Sequence, residues 1–400
     1  MTADVAMWSR GTVRILLSTW PAHGHLLPML PLARAARRAG HDVVVASGAE
    51  MAAEARRRGF AAWDVGPSRA EADAAFGAVV PDITVIDPAE RVPTIIAGIF
   101  GAAALLRADD LVPRAMTWQP DLVVHPITEL AGAVAAERSG ARRLVHGFGP
   151  LPAEAWSWFG ARFDQVCEAW SVPTLVDDIL ESPFVELCPP SLQRDAVAAF
   201  GHRVPMRPGA GDVVPGEHLP WGAGDLAALP YERTVHLTLG TLFHSNTHVF
   251  EAALAGLREL PVNVIVTVGP GADPASLGSQ PAHVLVTDFV AHELLLPHCS
   301  TIISQGGPAT ILAALDHGIP HLVLPQGADQ FLNAPVLQAS GAGLALMPAE
   351  ATADRIGAAV GRLLEEPSFT EAARRMQVEL SVMPGPEAVL AEQLGAAVSR

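Results

Sequence analysis

The stretch that decides the fold is VRILLSTWPAHGHLLPMLPLARAARRAGHDVVVAS, residues 13–47. It opens on a continuous apolar run, "VRILLS", which reads as a strand buried on both faces. A turn carrying His23, Gly24 and His25 follows, and the spacing predicts a helix from Gly24 to Ala39. A second apolar run, "HDVVVAS", restores the strand pattern. The alternation continues with a helix over Glu50 to Arg58 and the strand "FAAWDV". Apolar strands joined by helices predict a parallel sheet covered on both faces, the doubly wound α/β class.

Working outward, Gly66 to Pro93 is long, rich in proline and weakly patterned, as functional loops in such domains often are. A helix near Thr94 to Trp118, the strand "DLVVH", a helix near Glu129 to Ser139 and the strand "RRLVHGF" come next. In "AEAWSWFGARFDQVCEAW" the residues Trp156, Phe159, Phe163, Val166 and Trp170 recur at three or four positions, which makes one apolar helical face. That face is either core or, at Trp156 and Phe159, the lining of a pocket for an apolar ligand. Between Val204 and Pro230 the chain is dense in Gly and Pro and loses its period. Alternation then restarts with "RTVHLTLGT", a helix over Thr247 to Leu260, "VNVIVTVG", "HVLVTDF", "STIISQ", a helix over Pro308 to His317, "PHLVLPQ", a helix over Ala328 to Ser340 and "GLALMP". Two similar domains are expected, residues 1–205 and 231–400, joined by a linker at 206–230.

Composition removes several functions. A net charge of -16 argues against a protein that coats nucleic-acid phosphates. Every basic residue is arginine; without lysine there is no P-loop lysine, Schiff-base lysine or lysine base. Cys167, Cys188 and Cys299 form neither a metal-binding spacing nor a disulfide framework. The first residues lack the basic front and long apolar core of a signal peptide, and no run approaches about 18 uninterrupted apolar residues. A soluble, cytoplasmic protein is expected, with no membrane partner.

The sharpest chemical feature lies in "PHCSTIISQGGPATILAALDHGIPHLVLPQGADQFLNA", Pro297 to Ala334. A strand ends at Ser304, Gln305, Gly306 and Gly307 make a tight turn, and proline suits the first helical position. Backbone N–H groups at such a turn, with the helix dipole behind them, favour a phosphate. Ser304, Gln305 and Thr310 add side-chain donors. Asp329 and Gln330, after the next strand, suit the vicinal hydroxyls of a sugar; taken alone, Asp329 also reads as an ordinary helix-start residue.

These motifs, in this order and together with "GHLLPMLPLARAARRAGHDV", "PDLVVH", "TLGT" and "LLPHC", resemble the family 1 nucleotide-sugar glycosyltransferases, in particular the actinobacterial enzymes that glycosylate antibiotics and other secondary metabolites. The resemblance covers most of the chain. It implies a GT-B fold, two Rossmann-like domains facing across a cleft, with the last helix packing back on the first domain. It implies inverting transfer from a nucleotide-sugar donor, a dTDP-deoxysugar before a UDP-hexose, to a small apolar aglycone. Neither cofactor nor metal is expected, and the state is a monomer or homodimer. Carried over by position, Gly240 and Thr241 face the diphosphate, Ser304, Gln305, Gly306, Gly307 and Thr310 hold the phosphates, Asp329 and Gln330 hold the sugar, and Val290 lies by the base. Two positions depart from the family: Gln305 stands where histidine is usual, and Ala309 where glycine is usual.

An acceptor hydroxyl needs a base of near-neutral pKa, and histidine supplies one. The resemblance selects His25 as that base. A helix N-terminus at His25 disfavours imidazolium and keeps the ring ready for a proton. His23 is expected to contact the acceptor or solvent, and a metal site at the His-Gly-His pair lacks further ligands. The family's partner carboxylate follows the "DLVVH" strand, where this chain has Pro126. Glu129 is the nearest carboxylate, either as a substitute partner or as a helix-start residue. Two alternatives remain: a catalytically impaired binding or helper protein of the same fold, and a nucleotide-sugar epimerase. A dinucleotide oxidoreductase is disfavoured because no GxGxxG follows the first strand.

Overall fold

A computed structural model describes residues 11–68, 71–72, 74, 77, 88–150, 160–173, 175–209, 213–214, 217–221, 226–240 and 246–395. The chain divides into two compact units. Unit 1 comprises Met1–Leu187, Arg194–Gly211 and Met383–Arg400, and unit 2 comprises Cys188–Gln193 and Asp212–Val382. The stretch 206–230, expected as a linker, is thus divided between the units at Gly211 and Asp212.

Unit 1 is built on a seven-stranded sheet: β1 (Arg14–Ser18), β2 (Asp42–Ser47), β3 (Ala61–Asp64), β4 (Leu122–Pro126), β5 (Arg142–His146), β6 (Pro183–Glu186) and β7 (His202–Pro205). Their spatial order is β3-β2-β1-β4-β5-β6-β7, with parallel pairing throughout. The winding reverses between β1 and β4, the place where a doubly wound sheet opens a crevice at its carboxyl edge. Leu16, Leu17, Val45, Val123 and Val124 are at most 1% exposed, as continuous apolar strands require. Each contributes about 1.5–3 kcal/mol of burial.

The helix expected over Gly24 to Ala39 is broken. It runs as α1 (His23–Leu26), a 3-10 turn over Leu27–Met29 and α2 (Leu30–Arg38). Pro28 and Pro31 each lack the N–H that a continuous helix needs, so the break is local chemistry. Next come α3 (Ala49–Arg57), α4 (Pro88–Trp118), α5 (Leu130–Ser139), α6 (Gly160–Ala169) and α7 (Val176–Glu181). Helix α4 starts inside the stretch expected to be loop and packs along α5. Strands β6 and β7 were not anticipated; four residues each, with a proline at one end, give no readable period.

Unit 2 has six parallel strands, β8 (Arg233–Thr238), β9 (Val262–Thr267), β10 (Val284–Thr287), β11 (Thr301–Ser304), β12 (His321–Val323) and β13 (Gly343–Ala345), ordered β10-β9-β8-β11-β12-β13. Its reversal falls between β8 and β11, directly before Gly240 and Gln305. The helices are α8 (Thr247–Leu257), α9 (His292–Leu295), α10 (Pro308–Asp316), α11 (Gln330–Ser340), α12 (Ala353–Glu365) and α13 (Pro367–Ser381). The final helix, α14 (Pro386–Gln393), belongs to unit 1. There Glu387 pairs with Arg38, and Arg142 donates to the Gln393 carbonyl. Among the described residues no helix is long and apolar enough to cross a membrane.

Candidate active site

Two strand–turn–helix corners, one in each unit, hold most of the candidate residues that the structure describes. In unit 1 the chain leaves β1 at Ser18 and enters α1 at His23. The His25 ring sits between two aromatic rings, 5.0 Å from Phe148 and 5.7 Å from Phe100, and Phe100 also meets Trp20 edge-on at 5.0 Å. Its Nδ1 is buried and without a hydrogen-bond partner among the described residues. Burial pushes the His25 pKa down to about 4, and the Glu129 carboxylate opposes this in part. The ring is therefore neutral at ordinary pH, but it is a weaker base than the near-neutral group expected from the sequence. The helix dipole expected to keep it neutral is a minor influence, because α1 is a single turn and desolvation is the main cause. His23 is half-buried; burial lowers its pKa, while Glu54 and Glu50 pull it up.

Glu129 is the N-cap of α5 and accepts from the Gly132 N–H. The same oxygen, Oε2, accepts from Ser18 Oγ at 2.8 Å, and Oε1 accepts from Arg107 Nε at 2.8 Å. Arg107 also donates to the carbonyls of Thr19 at 3.0 Å and Val65 at 3.2 Å. Both partners of this ion pair are 1% exposed. Burial raises the Glu129 carboxyl, but the Arg107 guanidinium and Ser18 outweigh it and hold the pKa below the usual carboxylate range. Glu129 thus acts on His25 through its field, with both oxygens engaged elsewhere. Further buried polar atoms without partners among the described residues, Thr19 Oγ1, His125 Nε2, Thr128 Oγ1 and His146 Nε2, gather at the carboxyl ends of the adjacent strands β1, β4 and β5. Such atoms are costly, and functional sites are where they collect.

In unit 2 the corner after β11 is Gln305-Gly306-Gly307, ahead of Pro308 at the start of α10. Gly306 has φ +87°, and a Cβ there would lie 2.5 Å from Val323 Cγ1, so only glycine fits. Ser304 is fully buried; its Oγ accepts from the Gly306 N–H at 3.0 Å and lies 2.7 Å from His321 Nε2. It braces the turn from inside the sheet. Gln305 is 8% exposed and lies over Gly240, where a Cβ would stand 2.1 Å from its Nε2. The loops after β8 and β11 therefore meet, with glycine at each contact. Thr310 is buried on the first turn of α10.

The next loop joins β12 to α11. Asp329 is the N-cap residue of α11, and its Oδ2 accepts from Asn333 Nδ2 at 3.1 Å. Burial raises its pKa, with Asn333 acting against that rise. Gln330 Oε1 accepts from the N–H groups of Gln326 at 2.8 Å and Gly327 at 3.0 Å and closes the loop on itself. Asn333 also donates to the Gly306 carbonyl at 3.1 Å, which joins this loop to the Gly-Gly turn. Val290 is buried in an apolar cluster with Ile265 and Leu295.

Thr241, Trp156 and Phe159 lie outside the described residues. Sequence reasoning passed over Arg107, Phe100, Phe148 and Asn333. A lone arginine within the apolar run "IIAGIFGAAALLR" signals a buried partner, and Asn333 is one helical turn beyond Asp329. The two rings carry no such signal, because their contact with His25 is made by the fold alone. Among the described residues no group of three or more His, Cys, Asp or Glu side chains is placed to hold a metal ion.

Residues 251–395 match the family described as "Erythromycin biosynthesis protein CIII-like, C-terminal domain". The whole chain is similar to 10-deoxymethynolide desosaminyltransferase of Streptomyces venezuelae, 31% identical over 95% of this chain and 96% of that protein. It is similar to TDP-daunosamine transferase DnrS of Streptomyces peucetius, 30% identical over 94% and 95% of the two chains. Among solved structures, spinosyn rhamnosyltransferase SpnG complexed with thymidine diphosphate superposes with a TM-score of 0.79, at 25% identity over 95% of this chain and 100% of that one. With two parallel-sheet units and full-length similarity to such enzymes, the chain belongs to the GT-B family of actinobacterial antibiotic glycosyltransferases.

Proposed function

We propose that this glycosyltransferase moves a deoxysugar, with inversion, from a thymidine-diphosphate donor to a hydroxyl of a small apolar secondary metabolite. The observation that carries the reading is the left-handed Gly306 turn ahead of α10, joined through Asn333 to the Asp329 carboxylate. Amide N–H groups at a helix start meet a diphosphate, and a carboxylate beside them meets sugar hydroxyls. Gln305 adds a neutral donor and Gly240 lets the second loop approach. The relatives support the donor class, because one is named for a TDP-sugar and one structure holds thymidine diphosphate.

In the proposed step the acceptor oxygen bonds to the anomeric carbon as the bond to the diphosphate oxygen breaks. The acceptor proton passes to His25, and the charge left on the diphosphate is met by the amides that follow Gly306, whose own N–H is taken by Ser304 Oγ. His25 belongs to unit 1 and the Gly306 turn to unit 2. Phe100, Phe148 and Trp20 make the surroundings of the base aromatic, which suits an apolar acceptor. Glu129 supports the ring's environment from a distance. The reaction is proposed to need no metal or cofactor, to take place in the cytoplasm and to be carried out by a monomer or homodimer.

The test is purified protein assayed with a panel of thymidine- and uridine-diphosphate sugars against a panel of apolar polyketide acceptors. The expected result is acceptor-dependent release of thymidine diphosphate and a product whose anomeric configuration is inverted. Sugar turnover without acceptor, or acceptor binding without any transfer, overturns the proposal.

A further inference from the structure

We propose that Asn333 is a positioning residue that locks the Asp329 carboxylate and the Gly306 turn together, so that the sugar end and the phosphate end of the donor site are held as one piece. The inference rests on the reading of that site given above. Asn333 lies one turn into α11 and is 2% exposed. Its Nδ2 donates to the Gly306 carbonyl and to Asp329 Oδ2, each at 3.1 Å. A carboxamide nitrogen carries two hydrogens, and here each has its own acceptor. Aspartate offers no donor at this position, and serine has one proton for two acceptors.

The geometry around Gly306 shows what the bond restrains. Its N–H goes to Ser304 Oγ and its carbonyl accepts from Asn333, so both polar groups of that residue are tied. Val323 closes the remaining side, at the place where a Cβ would stand. Losing Asn333 frees the carbonyl, and the turn loses the fixed orientation of its amides. At the other end, Asp329 loses the donor that fixes its carboxylate. Asn333 itself need touch neither phosphate nor sugar.

The experiment compares wild type with Asn333→Asp, Asn333→Ala and Asn333→Ser. Calorimetry with thymidine diphosphate alone reads the phosphate end. The pH dependence of donor kcat/KM reads the sugar end. Asn333→Asp is expected to weaken thymidine diphosphate by about tenfold although the residue lies at the sugar-side loop, the loss of one hydrogen bond to a buried acceptor plus a new charge. Asn333→Ser keeps one donor, is expected to lose less, and serves if Asn333→Ala fails to fold. The groups acting on Asp329 are burial, which raises its pKa, and Asn333 with its own amide, which lower it. Removing Asn333 therefore moves the acid limb to higher pH. A folded Asn333→Asp or Asn333→Ser protein with wild-type thymidine diphosphate affinity and an unmoved acid limb overturns the inference and leaves a packing role. If wild type itself binds no thymidine diphosphate, the reading of the site falls first, and the inference with it.

Discussion

The two corners are built alike and stabilised differently. Each follows a parallel strand at the point where its sheet reverses direction, and each opens a helix. The corner at Gly306 is held by neutral hydrogen bonds, its N–H donating to Ser304 and its carbonyl accepting from Asn333, and its special backbone demands glycine. The corner at His25 is held by aromatic faces, with a buried Arg107–Glu129 ion pair behind it. On the proposed function, the difference follows the charge each corner would handle. A corner that receives a diphosphate presents oriented amides. A corner that must keep a ring neutral surrounds it with apolar faces and places the nearest carboxylate under an arginine.

The largest expected effect tests the chemical half of that contrast. His25→Ala is expected to lower kcat by about 10²–10⁴, the range for losing a general base, with the fold retained. Gln305→Ala, at the other corner, is expected to raise donor KM by about tenfold, because it removes one hydrogen-bonding group. Steady-state kinetics at saturating donor and acceptor separate the two. A loss of less than tenfold for His25→Ala breaks the assignment of base and receiver.

The next effect concerns stability. Arg107→Met leaves Glu129 buried without its counter-charge and is expected to cost about 3–5 kcal/mol. At the neutral corner, Ser304→Ala removes two hydrogen bonds, with the Gly306 N–H and with His321 Nε2, and is expected to cost about 2 kcal/mol. Hydrogen exchange over β1 and β4 in the first variant, and over β11 and β12 in the second, reads each corner locally. Equal costs would mean that the ion pair is not what holds the first corner.

Glycines sharpen the comparison further. Gly306→Ala puts a Cβ on Val323 in a left-handed conformation, which costs about 1–2 kcal/mol before the clash is counted. Donor KM is expected to rise by at least about tenfold. Val323→Ala in the same chain is expected to recover only part, since the backbone strain persists. Gly24→Ala meets nothing within 4 Å and is expected to leave both kinetics and stability within about twofold of wild type.

The contrast also explains what the sequence could disclose. Buried parallel strands are continuous apolar runs, so β1, β2, β4, β8, β9 and β11 were readable; β6 and β7, at four residues each, were not. The Gly306 corner was readable because its backbone requirement is written in residue types: glycines, proline and a nearby Asp-Gln pair. Its internal bracing was not, since Ser304 turns toward His321 and Gly306, which only the register of β11 against β12 decides. The His25 corner depends on Phe100 and Phe148, from segments about 75 and 123 positions away, and on Arg107 reaching Glu129 across two helices. Contacts of that kind leave no local pattern, so the sequence offers His25 as a candidate and says nothing of the rings around it.

The smallest expected effect concerns pH, and its sign follows from burial. An ordinary histidine of pKa 6.5 would be mostly protonated at pH 6 and lose about fourfold in activity as a base. With the His25 pKa near 4, the ring is still neutral at pH 6, so acceptor kcat/KM at saturating donor is expected to change by less than about twofold between pH 8 and pH 6. Stability behaves differently. His25, His125 and His146 all have folded-state pKa values of about 4, below the unfolded value of 6.5. Between those values the unfolded chain binds protons that the folded unit 1 excludes, so the stability these histidines contribute falls as pH drops from about 6.5 to about 4, and the depressed Glu129 carboxyl continues the loss at lower pH. Unfolding midpoints measured alongside initial rates at each pH distinguish the two curves. An acid limb near 6.5 in the rate, with no matching loss of stability, would show a solvated ring and remove the apolar surroundings as the reason for His25's neutrality.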